Sequence, residues 1–544
     1  MKKRSVLVLT IAAMFILLFA LPVSADNPYD IEIAHGYNTV GINDGEYLLT
    51  DSDDGTIING TPSHYNIHYD AGKNLLILKD ATILSNQWYG INIYKDMNIQ
   101  FSGLNSIQLA EQTNGSLFGI FSEGKLTFSG TNLLSVYVRK TAATYDTDKV
   151  NSFGIYANGD ITFNDSVNKA NPQDHGSYSV ICEGIQYANN NCHTVGVCSD
   201  GGSVYVNGGN YYNISTGKTG YGYGIGIDAE TDKISGKGGN IFIRNTKSLS
   251  INTNNETKIA YGMTAKGYIQ IESGTVSVDC YGKDAIHALN NVNITGGIVK
   301  AHGKECGIYS EYGNVVITGG SHMIKGEQRA LYNQSDNDPV FIGKNMSVLA
   351  GENDAILKTI SFNQYTNEKV CRISPFTDLK ADWYKLPVFW ASVQEITTGT
   401  DATHFSPDKI CTRAEIVTLL YRTLEVKENS GKNPFVDVKK GSYYFNAVCW
   451  ANDKGITKGT DSTHFSPDKP CTRAEVATLL YRYIDNKVTA TNPFKDVAKS
   501  SYYYDAVMWM IKENITTGTD ATHFSPDTPC TRAEIITFLY RAMN

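Results

Sequence analysis

Pro434-Phe435-Val436-Asp437, then Gly459-Thr460-Asp461-Ser462-Thr463-His464-Phe465-Ser466-Pro467-Asp468, then Cys471-Thr472-Arg473-Ala474-Glu475 form an ordered set of motifs that the chain uses three times. The set appears earlier at Pro375–Asp378, Gly399–Asp408 and Cys411–Glu415, and later at Pro493–Asp496, Gly518–Asp527 and Cys530–Glu534. Its openings, at 375, 434 and 493, stand 59 residues apart both times. Near-identical motifs at a fixed period mark a repeat architecture. The C-terminal part of the chain is therefore a triplicated module.

Each unit reads as helix, loop, helix. In the second, Tyr443 to Asn452 carries Ala447, Val448, Trp450 and Ala451 at helical spacing, and Gly455 follows as a stop. The Gly-Thr-Asp to Ser-Pro-Asp stretch is dense in turn residues and predicts an ordered loop. Thr472 and Glu475 have the spacing of a capping box, as do Thr412 with Glu415 and Thr531 with Glu534. Val476, Leu479 and Leu480 then supply a buried stripe. Arg413, Arg473 and Arg532 fall at the positive end of a helix, where the dipole favours anions. Two readings stand for this Arg: an anionic partner, or a surface side chain folded onto a neighbouring Asp.

These motifs resemble S-layer homology domains, the wall-anchoring modules of many bacterial surface proteins, over about Pro375 to Asn544. The resemblance implies a pseudo-threefold bundle with the Thr-Arg-Ala-Glu helices packed centrally. It also implies grooves that bind secondary cell-wall polysaccharide, often through a pyruvate ketal on an amino sugar. A ketal carboxylate suits a planar guanidinium, with helix-start amides adding to the grip. Carried over by position, the contacts are Arg413, Arg473 and Arg532, with Trp390, Trp450 and Trp509 walling the grooves or the core. Asp378, Asp437 and Asp496 and the loop glycines Gly399, Gly459 and Gly518 complete the pattern, the Asp residues reading equally as local turns or caps. The first unit is one residue shorter before Trp390 and carries Pro387 in its helix, so two readings stand for it: the weakest of the grooves, or a unit that mainly packs.

Lys2, Lys3 and Arg4, the apolar run Val6 to Leu21, and Val23-Ser24-Ala25 read as a secretory signal over residues 1–25. No second long apolar run exists, so no transmembrane segment is expected after cleavage. The net charge of −8 argues against nucleic acid as a partner. Equivalent cysteines Cys411, Cys471 and Cys530 cannot all pair, which favours packed thiols. Cys182, Cys192 and Cys198 lack zinc-like spacing, so no metal is expected there, and a local disulfide among them stays open.

Upstream, a degenerate unit recurs: aromatic or small residue, Gly or Ala, aliphatic. It occurs at Tyr89-Gly90-Ile91, Phe118-Gly119-Ile120, Phe153-Gly154-Ile155, Tyr223-Gly224-Ile225, Tyr261-Gly262-Met263, Asp284-Ala285-Ile286, Cys306-Gly307-Ile308, Arg329-Ala330-Leu331 and Asp354-Ala355-Ile356. Alternating strands such as Ile269-Gln270-Ile271 and Val292-Asn293-Ile294 lie between, with Gly296-Gly297 and Gly319-Gly320 at corners. A parallel β-helix fits, and a set of β-sandwiches is the rival. Thr141–Val150 and Asn168–His193 break the period and read as loops.

The expected fold class is thus multidomain: an all-β, parallel β-helix or solenoid-like region, then an all-α pseudo-threefold bundle. The expected boundaries are 26–372 for the β region and 373–432, 433–491 and 492–544 for the repeats. Acids cluster at Asp160, Asp165 and Asp174 and at Glu272, Asp279 and Asp284, but no acid recurs at one coil position, and no catalytic or cofactor motif stands out. The 34 tyrosines, including Tyr211-Tyr212, Tyr221 and Tyr223, suit either sugar stacking or half-buried strands. The reading that follows is an exported surface protein, held non-covalently to wall polysaccharide, whose solenoid binds glycan or another surface component. A wall-anchored polysaccharide lyase or hydrolase, and a structural surface-layer component, are the alternatives.

Overall fold

The computed structural model describes residues 29–50, 56–110, 116–139, 151–164, 176–183, 193–209, 211–217, 221–227, 239–253, 260–334, 340–360, 368–426, 432–484 and 490–544. The expected signal segment lies outside them. Two compact units result: Met1–Lys344 with Ala350–Cys371, and Asn345–Leu349 with Arg372–Asn544. Among the described residues no helix is long and apolar enough to cross a membrane.

The first unit is β-rich, and its strands stack coil on coil. One parallel ladder runs Tyr89–Ile93, Leu117–Ser122, Ser152–Ala157, His193–Ser199, Tyr221–Ile227, Ala260–Ala265, Ile286–Ala288, Cys306–Ser310, Arg329–Asn333. Two further ladders complete each coil, for example Met97–Ser102 and Leu104–Ala110. In-register pairing places Ile91, Ile120, Ile155, Val197, Ile225, Met263, Ile286, Ile308 and Leu331 in one column. All are buried. Apart from Val197, these are the aliphatics of the degenerate unit, and each burial removes one side chain from water at about 1.5–3 kcal/mol.

The glycine of that unit has a packing cause. A Cβ on Gly119 would lie 2.3 Å from Val136 Cγ1 and 2.5 Å from Gly154 O, and one on Gly154 would lie 2.2 Å from Val180 Cγ1. Small residues here let neighbouring coils and facing ladders close up. Asx side chains tie the coils at one corner. Asp96 accepts the Lys125 amide, Asp160 that of Ser203, Asn240 that of Tyr268 and Asn291 that of Asn314, at 2.7–2.9 Å.

Three expectations for this unit need correction. Its start is antiparallel: Ile31–His35 pairs with Asn38–Ile42 as a hairpin and with Tyr89–Ile93. The stretch 168–193 is not all loop, because Gly176–Glu183 is a regular strand paired on both sides; residues 165–175 and 184–192 lie outside the described residues, as does 140–150. Asp354-Ala355-Ile356 is no coil member, since Ile356 is 55% exposed in a turn.

The all-α, centrally packed bundle expected of the repeats is also corrected. Helix accounts for 16% of the structure against 42% strand. Each repeat contributes two short helices: α1 (Asp382–Val393) and α2 (Arg413–Thr423), α3 (Phe445–Asp453) and α4 (Arg473–Ile484), α5 (Tyr504–Lys512) and α6 (Arg532–Met543). Helices this short are marginal alone, and they pack mainly on the next repeat: α2 with α3, α4 with α5, α6 with α1. The centre is backbone rather than helix. Cys411 N donates to Cys530 O, Cys471 N to Cys411 O, and Cys530 N to Cys471 O, at 2.9–3.1 Å. The physical reason lies in the caps. Thr412 is extended (φ −81°, ψ 163°) to cap α2, so the chain before the helix pairs as a strand would.

Candidate functional site

Each repeat builds its loop the same way. The motif carboxylate grips two consecutive amides: Asp378 takes Phe405 and Ser406, Asp437 takes Phe465 and Ser466, Asp496 takes Phe524 and Ser525, at 2.7–3.0 Å. Gly399, Gly459 and Gly518 sit at φ +81°, +79° and +83°, where a Cβ would strike the loop's own carbonyls. Inside the loop, Asp461 accepts the Thr463 and His464 amides and the His464 ring, and Asp401 does the same in repeat one. Those bonds, the Thr amide first, hold Asp401, Asp461 and Asp520 at about 2.

The second helix of each repeat starts with a reciprocal cap. Glu415 N donates to Thr412 Oγ1 (3.3 Å) while Thr412 N donates to Glu415 Oε2 (2.9 Å). Thr472 with Glu475 and Thr531 with Glu534 repeat this geometry. The next two amides of each helix are already taken. Arg413 N and Ala414 N donate to Lys469 O and Pro467 O of the following repeat, and repeats two and three do likewise. These amides are therefore not free to receive an outside anion.

The three arginines are buried, with 5%, 2% and 6% exposure at Arg413, Arg473 and Arg532. Each Nε donates to a loop carbonyl of another repeat: Arg413 to Phe465 (2.9 Å), Arg473 to Phe524 (2.8 Å), Arg532 to Phe405 (2.8 Å). Each guanidinium also lies 4.8–5.0 Å from that phenylalanine's ring centre. Arg413 reaches Glu475 at 3.5 Å and Arg473 pairs with Glu534, so the anion facing these helix starts comes from the next repeat's cap. Arg532 differs. Its Nη2 donates to Thr397 Oγ1 (3.2 Å); burial pushes the Glu415 carboxyl up, but the Lys409 ammonium and the Thr412 amide, with a smaller part from the Arg532 charge, keep it below the usual range.

Arg532 also opens on a cavity of about 210 Å³, shared with Gly399, Glu415, Arg422 and Tyr443. Two guanidinium groups and one carboxylate give it a positive balance. It lies against the first repeat, which the sequence reads as the weakest groove or as mainly packing. Trp450 and Trp509 are buried, packed edge-on or tilted against Tyr421 and Tyr481, while Trp390 meets Tyr540. They therefore sit at helix contacts between repeats.

Sequence reasoning passed over another aromatic set. Trp383, Tyr443 and Tyr502 occupy equivalent positions, are 50%, 62% and 67% exposed, and each meets its following tyrosine edge-on at 5.0 Å. The doublets Trp383-Tyr384, Tyr443-Tyr444 and Tyr502-Tyr503 carried that information. Cys182, Cys411, Cys471 and Cys530 are free, buried thiols and Cys198 is buried, while Cys192 lies outside the described residues. Among the described residues no cluster of His, Cys, Asp and Glu is arranged to hold a metal.

Residues 375–417, 434–477 and 493–536 match the S-layer homology domain family, and residues 38–307 match a family described as carbohydrate-binding domain-containing protein. The C-terminal repeats are thus three S-layer homology domains. Among curated proteins, the chain is similar to an amylopullulanase of Thermoanaerobacterium thermosulfurigenes (29% identity, 35% of this chain, 11% of the relative). It is also similar to an S-layer protein of Bacillus thuringiensis subsp. finitimus (27%, 30% and 21%) and a cellulosome-anchoring protein of Acetivibrio thermocellus (26%, 26% and 33%). The chain therefore spans between about a tenth and a third of the length of these relatives.

Proposed function

We propose that this is an exported surface protein whose three C-terminal repeats hold it non-covalently to secondary cell-wall polysaccharide while its solenoid binds glycan. The observation that carries the anchoring half is the triple match to S-layer homology domains. The match of residues 38–307 to a carbohydrate-binding family supports the other half. The finer part of the reading concerns the anchor's ligand. The cavity beside Arg532 and Arg422 takes a carboxylate-bearing sugar, such as one with a pyruvate ketal, and Tyr443 lies alongside its ring. Arg413 and Arg473, with the loop Asp and Gly residues, act by holding the groove walls in place.

The test is retention of the full chain on purified walls. Binding should vanish on walls stripped of secondary polysaccharide, and fall on walls treated with mild acid to hydrolyse ketals. Tyr443→Ala, at an exposed position, should weaken retention without lowering thermal stability. Undiminished retention on stripped walls would overturn the anchoring reading. Undiminished retention after ketal removal would overturn only the carboxylate.

A further inference from the structure

The last coils of the solenoid carry a cavity of about 180 Å³ on the outer side of the first ladder. Strand register sets its parts side by side: Tyr309 beside Tyr332 in one column, continued by His287, and Cys306 beside Arg329 at the start of the same two strands. Ile286, Ile308 and Leu331 of the same strands face the core, so their neighbours His287, Tyr309 and Tyr332 point away from it. Tyr309 and Tyr332 stack at 5.1 Å and 11°, and the Arg329 guanidinium lies 4.2 Å from the Tyr332 ring centre. Lys283 donates to Tyr261 Oη (3.2 Å). The floor is fixed by Asp284, 1% exposed, which accepts the Cys306 amide and meets the His287 ring, both at 3.1 Å.

We infer that this cavity is a saccharide subsite, taking one pyranose ring of an uncharged glycan. Three features set the ligand class. The walls mix donors (Lys283, Arg329, Gln328) with the acceptor Glu305, and a sugar hydroxyl both donates and accepts. Tyrosine rings form part of the wall, offering apolar surface to a sugar's C–H face. Its two cations, Lys283 and Arg329, are balanced by Asp284 and Glu305, so there is no net field to select an anion, unlike the cavity beside Arg532. The volume is below the roughly 300 Å³ of sites for drug-sized ligands, which limits occupancy to a single ring.

This inference rests on the glycan-binding half of the proposed function and can fail separately. The full chain would be incubated with soluble xylan, mannan and β-glucan and with polygalacturonate, while wall retention is measured in parallel. The expected result is binding to at least one neutral polymer, weaker binding to polygalacturonate, and a tenfold or greater loss in Arg329→Lys and in Glu305→Gln with the melting temperature unchanged. Tyr332→Phe, which keeps the stack, should bind nearly as wild type. Neutral-glycan binding that survives both Arg329→Lys and Glu305→Gln would overturn this subsite and leave the solenoid's glycan role standing. A preference for polygalacturonate would overturn the assigned ligand class. No binding to any of the four, with wall retention intact, would overturn both the subsite and the solenoid's glycan role, leaving the anchor.

Discussion

The solenoid and the C-terminal repeats are both built from copies of one unit, yet they tolerate variation differently. In the solenoid each coil touches only the coil before and the coil after. The column that runs Ile120, Ile155, Val197, Ile225, Met263 accepts any aliphatic, because its only demand is burial in register. The C-terminal repeats close in a ring. Every repeat gives a guanidinium to a loop carbonyl of one neighbour and receives one from the other, with Arg413 and Arg473 also reaching the neighbour's cap carboxylate and Arg532 taking Thr397 instead. A stack can use approximate copies, whereas a ring whose three joints share one guanidinium-to-loop geometry has less room to vary. That is why Cys-Thr-Arg-Ala-Glu persists letter for letter while the solenoid unit drifts from Tyr-Gly-Ile to Arg-Ala-Leu.

The sharpest break of this contrast is Arg473→Ala. It leaves the Glu534 carboxylate without its buried cation and Phe524 O without its donor. Removing one partner of a buried pair costs about 3–5 kcal/mol. Because the joint is part of a ring, hydrogen exchange should rise across all three repeats while the solenoid stays protected. Exposure confined to the second repeat would show that the ring does not act as a unit. A weaker coupling is expected at Arg413, whose contact to Glu475 is 3.5 Å.

The matching solenoid substitution is Gly154→Ala, which drives a methyl into Val180 and Gly196. Overpacking of this kind costs about 1–3 kcal/mol. Here loss of protection should stay within the adjoining coils, around Leu117–Ser122 and His193–Ser199. Loss along the whole stack would contradict the one-dimensional picture.

How much of this was readable in the chain follows from the same contrast. The C-terminal unit was legible because its motif is exact, and the capping spacing of Thr472 and Glu475 was enough to place a helix start. The destination of Arg473 was not legible. Its partners lie 51 and 61 residues on, and nothing local points to them. A cation at a helix start does meet an anion in the first two repeats, but that anion is internal: Glu475 for Arg413 and Glu534 for Arg473. The central ring of Cys backbone was hidden too, since backbone hydrogen bonds leave no side-chain signature. In the solenoid, Val195-Gly196-Val197 was passed over because an aliphatic replaced the aromatic, though its Gly and Val keep the packing pattern. Gly176–Glu183 reads as loop in the sequence because the period is broken on either side of it. The cavity around Arg329 was invisible because its residues come from successive coils.

A smaller effect tests the caps without touching the ring. Thr472→Ala removes the acceptor for the Glu475 amide, at a cost of about 1 kcal/mol. The loss should be smaller than for Arg473→Ala, and Thr472→Ser should recover most of it. A loss equal to that of Arg473→Ala would mean that Thr472 supports the joint itself.

The smallest expected effect concerns acid. Asp401, Asp461 and Asp520 have an ordinary value of 3.8 and are held at about 2 by the Thr amide and then the His side chain of each loop. A depressed carboxyl contributes stability that is present above its unfolded value and is lost as pH falls through its folded value. The repeats should therefore keep this contribution down to about pH 4 and lose it between there and about pH 2. These carboxylates are solvent-facing, so the slope and not the size is the useful observable. Asp461→Asn keeps an oxygen for the Thr463 amide but cannot titrate, so it should reduce the loops' contribution to the slope in that window by roughly one third. The solenoid, whose Asx corner mixes Asp96 and Asp160 with Asn240 and Asn291, should be unaffected by the substitution. An unchanged slope in Asp461→Asn would show that the three loops do not set the acid response, leaving it to the half-buried caps Glu415 and Glu475, also held low despite their burial.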